Sequence, residues 1–142
     1  MTTGNTALLG LALPVEGELD GAWGDVVNDS ITSLLDTSIA GTVTLSTDAD
    51  VTLTDTALVA NQSRAAVLKW TANGTATRNI TAPARSKVYI LVNQTAGTQS
   101  IVLRGAGPTT GVIVPAGKTA FIAWNGTDFA TVSNNISSGG TF

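Results

Sequence analysis

The spacing of apolar residues changes along the chain, and its first part has no regular period. In residues 1–19 the apolar side chains include Leu8, Leu9, Leu11, Leu13 and Val15. Gly10, Pro14 and Gly17 interrupt this segment, and these residue types do not support a stable helix. An exposed apolar segment needs a surface to pack on. We therefore expect an extended arm that packs on its own body, on a neighbouring subunit or on another docking surface.

The next segment has the period of one helical face. Apolar residues recur every three to four positions at Trp23, Val27, Ile31, Leu34 and Leu35. Asp20 is the predicted N-cap, because a side-chain carboxylate can accept from the free amides of the first turn. The helix is expected to fade near residues 36–38 and to stop by Gly41. The pattern therefore predicts one short helix of three to four turns.

From Thr42 onward the period is two, which is typical of β-strands. Nine strands are predicted, at residues 42–46, 50–54, 65–71, 78–82, 87–93, 100–104, 111–114, 119–124 and 129–133. The interleaved apolar residues of 88–93 indicate a strand that is covered on both faces. Short strands separated by Gly, Pro and Asn turns are typical of a β-sandwich or jelly-roll body.

Turn residues divide these strands further. Asn125-Gly126 predicts a tight hairpin, since this dipeptide accepts positive φ, and Asn73-Gly74 predicts a second hairpin with longer flanks. Pro108 and Pro115 are expected in turns. The predicted organisation is a docking arm and helix over residues 1–41, a β-sandwich body over 42–134 and a flexible tail over 135–142.

Charge adds an asymmetry to this organisation. Residues 1–60 hold nine acidic residues and no Lys or Arg, whereas residues 61–142 hold one acidic residue and seven basic ones. Opposite charges on two parts of a chain favour contact between them. We therefore expect the acidic head to dock on the basic body, either within one subunit or between copies.

The composition argues against catalysis. The chain contains no His and no Cys, so the usual neutral-pH bases and nucleophiles are absent. Asp48, Asp50 and Asp55, or Glu16 and Glu18, could still form an acid/base pair or a Ca²⁺ site. The preferred interpretation is that these carboxylates belong to turns and strand ends and keep β edges soluble. We expect no enzyme activity, no cofactor and no metal.

Other site patterns are weak. The glycine-rich segment 105–111 lacks the Lys of a phosphate-binding loop and precedes a strand, which indicates an ordinary loop. Seven dispersed cations without interleaved aromatics do not predict nucleic-acid binding. Trp70, Trp124 and Tyr89 could stack on a sugar, although such residues are more often core or interface. No apolar run reaches membrane-spanning length, so membrane insertion is not expected.

Several segments carry a resemblance to a family. Leu9-Gly10-Leu11-Ala12-Leu13-Pro14, followed by Ala22-Trp23-Gly24-Asp25 and a helix ending Leu34-Leu35-Asp36, is similar to the opening of tail-fibre and related virion proteins of tailed bacteriophages of marine and cyanobacterial hosts. Residues 42–50, 70–84 and 100–111 resemble the module that follows that opening. The residues given depart from that family in carrying no recognisable receptor-binding signature.

This resemblance implies a virion structural protein on the surface of the phage particle. Together with the apolar arm and helix, it predicts a non-enzymatic homotrimer that acts as a tail-fibre or fibre-base component. The alternatives are a capsid decoration protein and a carbohydrate-binding module. Expected partners are other copies of the chain, other tail or capsid proteins and, as a further candidate, a host surface glycan. The residues expected to form the docking or oligomer interface are Leu11, Leu13, Trp23, Val27, Ile31 and Leu34.

Overall fold

The arm forms a small hairpin rather than a single extended segment. The computed structural model describes residues 3–107 and 110–132, and in it β1 (Gly4–Asn5) pairs antiparallel with β2 (Ala12–Leu13). The chain turns between them at Gly10, which has φ 62°. A Cβ at Gly10 would lie 2.9 Å from Ala57 Cα, so this glycine allows the arm to approach the body closely.

One helix of 18 residues, α1, follows the arm. It consists of an α-helical segment Trp23–Val27, a π-helical segment Asn28–Thr32 and an α-helical segment Ser33–Ala40. The prediction of Asp20 as N-cap is wrong, because Ala22 occupies that position without a side-chain hydrogen bond. The predicted length was too short, since the helix continues to Ala40. Its predicted end by Gly41 is confirmed, and Gly41 is extended.

Each of the nine predicted strand ranges contains a strand. The strands are β3 (Thr42–Leu45), β4 (Val51–Thr52), β5 (Val67–Trp70), β6 (Arg78–Thr81), β7 (Val88–Asn93), β8 (Ile101–Arg104), β9 (Val112–Val114), β10 (Thr119–Trp124) and β11 (Phe129–Thr131). A 3₁₀ turn, Gln62–Arg64, precedes β5. The body is therefore mostly β, as the alternation of apolar residues predicts.

The strands form two facing sheets with mixed pairing. The five-stranded sheet has the order β11-β10-β7-β5-β3, and the four-stranded sheet has the order β4-β6-β8-β9. From β3 to β8 successive strands alternate between the sheets, so that β3, β5 and β7 are parallel, and so are β4, β6 and β8. Antiparallel β9 extends one sheet, and the β10–β11 hairpin extends the other.

This topology corrects two expectations. Two facing sheets agree with a sandwich in outline, but six strands pair in parallel, whereas a jelly roll is antiparallel. The predicted hairpin at Asn73-Gly74 is wrong, because β5 and β6 belong to different sheets.

The hairpin at Asn125-Gly126 is confirmed: Asn125 Oδ1 accepts from the backbone N–H groups of Thr127 and Asp128. Pro115 lies in the segment between β9 and β10, and Pro108 and the predicted tail lie outside the described residues.

The core lies between the two sheets. Its buried residues come from both of them: Leu45, Leu68, Trp70, Tyr89, Leu91, Ile122 and Phe129 on one side, and Ile80, Ile101, Leu103 and Val114 on the other. Asn93 is also buried, and its side-chain amide donates to the carbonyl oxygens of Gln99 and Val114 at 3.0 Å. In β7 only one face belongs to this core, so the prediction of a strand covered on both faces is wrong for a single chain.

Candidate docking site

The arm is fastened to the body by a buried guanidinium and by a backbone hydrogen bond, in which the Leu58 N–H donates to the Gly10 carbonyl oxygen at 2.8 Å. Arg64, in the 3₁₀ turn, is only 3% exposed. Its Nε donates to the carbonyl oxygen of Leu9 at 2.7 Å, and Nη2 donates to those of Gly10 at 3.3 Å and Thr56 at 3.1 Å. Its Nη1 donates to the carbonyl oxygen of Val59. Because burial is the main influence, the pKa of Arg64 is lowered from its ordinary value. Arg64 therefore holds the arm through backbone oxygens.

A cavity of about 220 Å³ lies beside this contact, between the arm and the body. Leu8 and Leu9 line it from the arm, and Lys87 and Tyr89 are among the residues that line it from the body. Lys87 Nζ lies 4.3 Å from the Tyr89 ring centroid and donates to the Ala65 carbonyl oxygen at 2.9 Å. Burial lowers the pKa of Lys87 to about 8.

The cations of this cavity already have partners within the chain. Arg85 forms an ion pair with Asp55 at 2.7 Å, and Lys87 and Arg64 donate to backbone carbonyls. The Tyr89 hydroxyl donates to the Ser63 carbonyl oxygen at 2.6 Å, and burial raises the pKa of Tyr89. These contacts stabilise the junction of arm and body. They do not set up a nucleophile beside a base.

Helix α1 has one face on the body and a row of apolar residues on its outside. Leu34 is 2% exposed, whereas Trp23 is 59% and Ile39 78% exposed. Val27 and Ile31 are half-buried. The outer row consists of residues four positions apart: Trp23, Val27, Ile31, Leu35 and Ile39. Of the predicted docking residues on α1, Leu34 is therefore used within the chain, and the other three lie on the row.

The π-helical segment affects the course of this row. In an α-helix, residues four apart drift by about 40° per step around the axis, because each turn holds about 3.6 residues. The wider turn of a π-helix rotates less per residue, and the segment Asn28–Thr32 lies in the middle of the row. Its drift therefore opposes that of the flanking α-helical segments, and the five apolar residues stay closer to one line. The predicted arm residues lie elsewhere, with Leu11 half-buried and Leu13 exposed.

The two ion pairs of the described chain lie within the β body. Arg78 Nε contacts Asp48 at 2.8 Å, and Arg85 contacts Asp55. The predicted pairing of acidic and basic halves is thus partly internal, since Asp48 and Asp55 belong to the body. The arm and α1 retain six acidic residues, Glu16, Glu18, Asp20, Asp25, Asp29 and Asp36, and no basic residue. None of these six takes part in those ion pairs.

Asp48 and Asp50, which were considered for catalysis, form hydrogen bonds with residues at the start of β6. Asp48 accepts from Arg78 Nε and Nη2, and Asp50 accepts from the N–H and side-chain amide of Asn79. The hydrogen bond from Arg78 lowers the pKa of Asp48, and the hydrogen bonds from Asn79 lower that of Asp50. Both are therefore held ionised, which is unsuitable for a general acid at neutral pH.

The glycine-rich loop binds a carboxylate of its own chain. Asp128 accepts from the N–H groups of Gly105 at 3.0 Å and Gly111 at 2.7 Å. Burial would raise the pKa of Asp128, but these backbone donors keep it below its ordinary value. Gly111 has φ 68°, and a Cβ there would lie 2.3 Å from the Leu103 carbonyl oxygen. The described residues of this segment, 105–107 and 110–111, agree with the ordinary loop predicted from the sequence.

The aromatic residues considered for sugar stacking belong to the interior. Trp70 and Tyr89 are fully buried, so neither offers a ring face to a ligand. Trp124 is half-buried and packs edge-on against Phe129, with ring centroids 5.2 Å apart. A stacking platform of these three residues is therefore excluded.

Sequence reasoning missed Arg64, Lys87 and Ile39. Arg64 and Lys87 are single cations in mixed segments, and no period marks them as buried. Ile39 follows Leu35 by four residues, and this spacing could have extended the predicted helix.

Over residues 3–107 and 110–132, no group of three or more acidic side chains could hold a metal ion. No helix within those ranges is long and apolar enough to cross a membrane. Searches for a matching protein family, curated protein or solved structure found none.

Proposed function

We propose that this chain is a non-enzymatic structural protein of a tailed-bacteriophage particle. It acts as a homotrimeric tail-fibre or fibre-base component and docks through its arm and α1. The observation that supports this proposal best is the apolar row on the outside of α1. A single chain leaves Trp23 and Ile39 mostly in water, which is unfavourable unless another surface covers them.

The arrangement of the body is consistent with a structural role. The buried polar groups Arg64 and Asn93 donate to backbone carbonyls, and Asp48 and Asp128 are held ionised by donors of the same chain. Each group therefore serves to hold loops and strands in place. The resemblance of the arm and helix to the opening of tail-fibre proteins supplies the assignment to a phage particle.

The location on the particle can be tested by imaging purified virions. Gold-labelled antibody against the β body should mark the tail. Label on the head would replace the fibre with the alternative, a capsid decoration protein. Absence of label from virions that are shown to contain every other structural protein would contradict a virion role altogether.

The absence of turnover needs its own test. Glycan hydrolysis is the activity that carboxylates alone could perform, so the protein is incubated with host surface polysaccharide. We expect no release of reducing ends. Release that disappears with Asp48→Asn or Asp50→Asn would contradict the proposal, whereas binding of the polysaccharide without release would favour the carbohydrate-binding alternative.

A further inference from the structure

The outer face of the five-stranded sheet is an apolar surface. On the three central strands of this sheet, the residues that point away from the core are Val67 and Lys69 on β5, Val88, Ile90 and Val92 on β7, and Thr119, Phe121 and Ala123 on β10. Val88 and Phe121 are 43% and 48% exposed. Through the strand register, Val67, Ile90 and Phe121 form a continuous row across the sheet. Such a row is typical of a covered sheet face.

The charge on this face is sparse and positive. Lys69 is the only charged residue in the five strands of the sheet. Asp128, which immediately precedes β11, is occupied by the amides of the glycine-rich loop. The partner of this face should therefore be apolar at its centre and acidic around it.

The outside of α1 has these properties. Its row of Trp23, Val27, Ile31, Leu35 and Ile39 is apolar, and the arm and helix carry six acidic residues and no cation. We propose that the outer row of α1 in one copy packs on the outer face of the five-stranded sheet in the next copy. This inference rests on the proposed homotrimer. It assigns the outer row of α1 to the contact between copies, and the arm is left to dock on the particle.

Charge disfavours the two symmetric alternatives. Three helices that met on a common axis would bring only acidic residues to each other, and like charges oppose such a contact. Two sheet faces that met would bring the Lys69 side chains of both copies, and no acidic residue of the strands, into one interface. A helix-to-sheet contact pairs opposite charges, and it is heterologous, since each copy uses two different surfaces. Heterologous contacts close into a ring when the rotation between copies allows it.

Two variants separate this contact from the alternatives. The helix variant carries Trp23→Ser and Ile39→Ser, and the face variant carries Val88→Thr and Phe121→Thr, which retain side chains suited to strands. The control is Ile113→Thr on the four-stranded sheet, where Ile113 is 62% exposed. Masses are measured by sedimentation velocity at micromolar concentration, after circular dichroism has verified the fold of each variant.

We expect the helix variant and the face variant each to be monomeric and the control to keep the mass of the wild type. An equimolar mixture of the two variants should form a heterodimer, because the intact helix of the face variant can still meet the intact face of the helix variant. A face variant with the wild-type mass, or a mixture that stays monomeric, would overturn the helix-to-sheet contact.

A single substitution at Lys69 tests the same contact if the face variant does not fold. Lys69→Glu should raise the dissociation constant by up to about five-fold, which is the range of a single exposed ion pair. An unchanged or lowered constant would count against the contact. A monomeric wild type would overturn the homotrimer and this inference together. A stable trimer that is insensitive to the face substitutions would overturn this inference alone.

Discussion

At the scale of single residues, Arg64 connects the arm to the body, and its environment explains why an arginine is needed there. Its planar guanidinium donates in several directions at once, to carbonyl oxygens of Leu9, Gly10 and Thr56. A lysine would present one compact charge and could not reach the same oxygens together. The position of the arm therefore depends on the shape of this side chain as well as on its charge.

We predict that Arg64→Met lowers the free energy of unfolding by about 1–3 kcal/mol, because the Leu9 carbonyl oxygen loses its donor, whereas the Gly10 and Thr56 oxygens keep those of Leu58 and Asn61. Arg64→Lys should recover only part of this loss. Urea unfolding and the rate of proteolytic cleavage within residues 3–20 measure the two effects. Arg85→Met is the control, and its partly exposed ion pair with Asp55 should contribute at most about 1 kcal/mol. Equal losses in the Arg64 and Arg85 variants would contradict the role of Arg64.

Lys87 gives the protein a specific pH dependence. Its pKa is about 8 in the folded chain, against an ordinary value of 10.5, because burial disfavours the charged form. Between these values the unfolded chain binds more protons, so the free energy of unfolding should rise as the pH increases from 8 toward 10.5. Chemical denaturation between pH 7.5 and 9.5 tests this rise. Lys87→Met should remove it, and the exposed control Lys118→Met should keep it.

At the scale of elements, α1 has two faces with different roles. Leu34 is buried against the chain itself, whereas Trp23 lies in the row that a neighbour would cover. The helical period of the sequence identified both residues as apolar positions of one helix. It could not predict which of them contacts the same chain and which is left exposed, because a period carries no information about contacts. Of these two predicted interface residues, Leu34 is therefore buried within a single chain and Trp23 is not.

These two faces predict opposite outcomes for two substitutions. Leu34→Ala should lower the free energy of unfolding by about 2–5 kcal/mol through loss of a buried side chain. Trp23→Ala should change the stability of the monomer by less than about 1 kcal/mol, as is usual for surface positions. It should instead weaken association, which thermal unfolding and sedimentation can separate. A large loss of monomer stability in Trp23→Ala would mean that this residue packs within its own chain.

The strands were predictable from the sequence, but their pairing was not. Alternation identifies a strand because successive side chains point to opposite faces, and this property is independent of the neighbouring strand. The partners β3, β5 and β7 place Leu45, Trp70 and Asn93 in register at equivalent inner positions. These three residues share no side-chain type, so no repeat signals the parallel stacking. The contact between arm and body could not be predicted either, because it joins Arg64 to backbone oxygens of residues more than 50 positions away in the sequence.

At the scale of the whole molecule, charge is divided between two regions after the internal ion pairs are taken into account. The arm and α1 contain six acidic residues, and residues 42–142 contain seven basic and four acidic ones. Two of those four, Asp48 and Asp55, are paired with Arg78 and Arg85. The rest of the body thus keeps an excess of cations, which favours contact with the acidic region of another copy. This division of charge favours self-association through the oppositely charged regions of different copies.

The mass of the purified chain as a function of salt tests whether the copies associate through opposite charges. Sedimentation equilibrium at micromolar concentration should give a trimer at 0.1 M salt. Its dissociation constant should rise at 1 M salt, since the screening length falls from about 10 Å to about 3 Å. A monomer at 0.1 M salt would contradict self-association, and a trimer whose dissociation constant is the same at both concentrations would contradict the contribution of opposite charges.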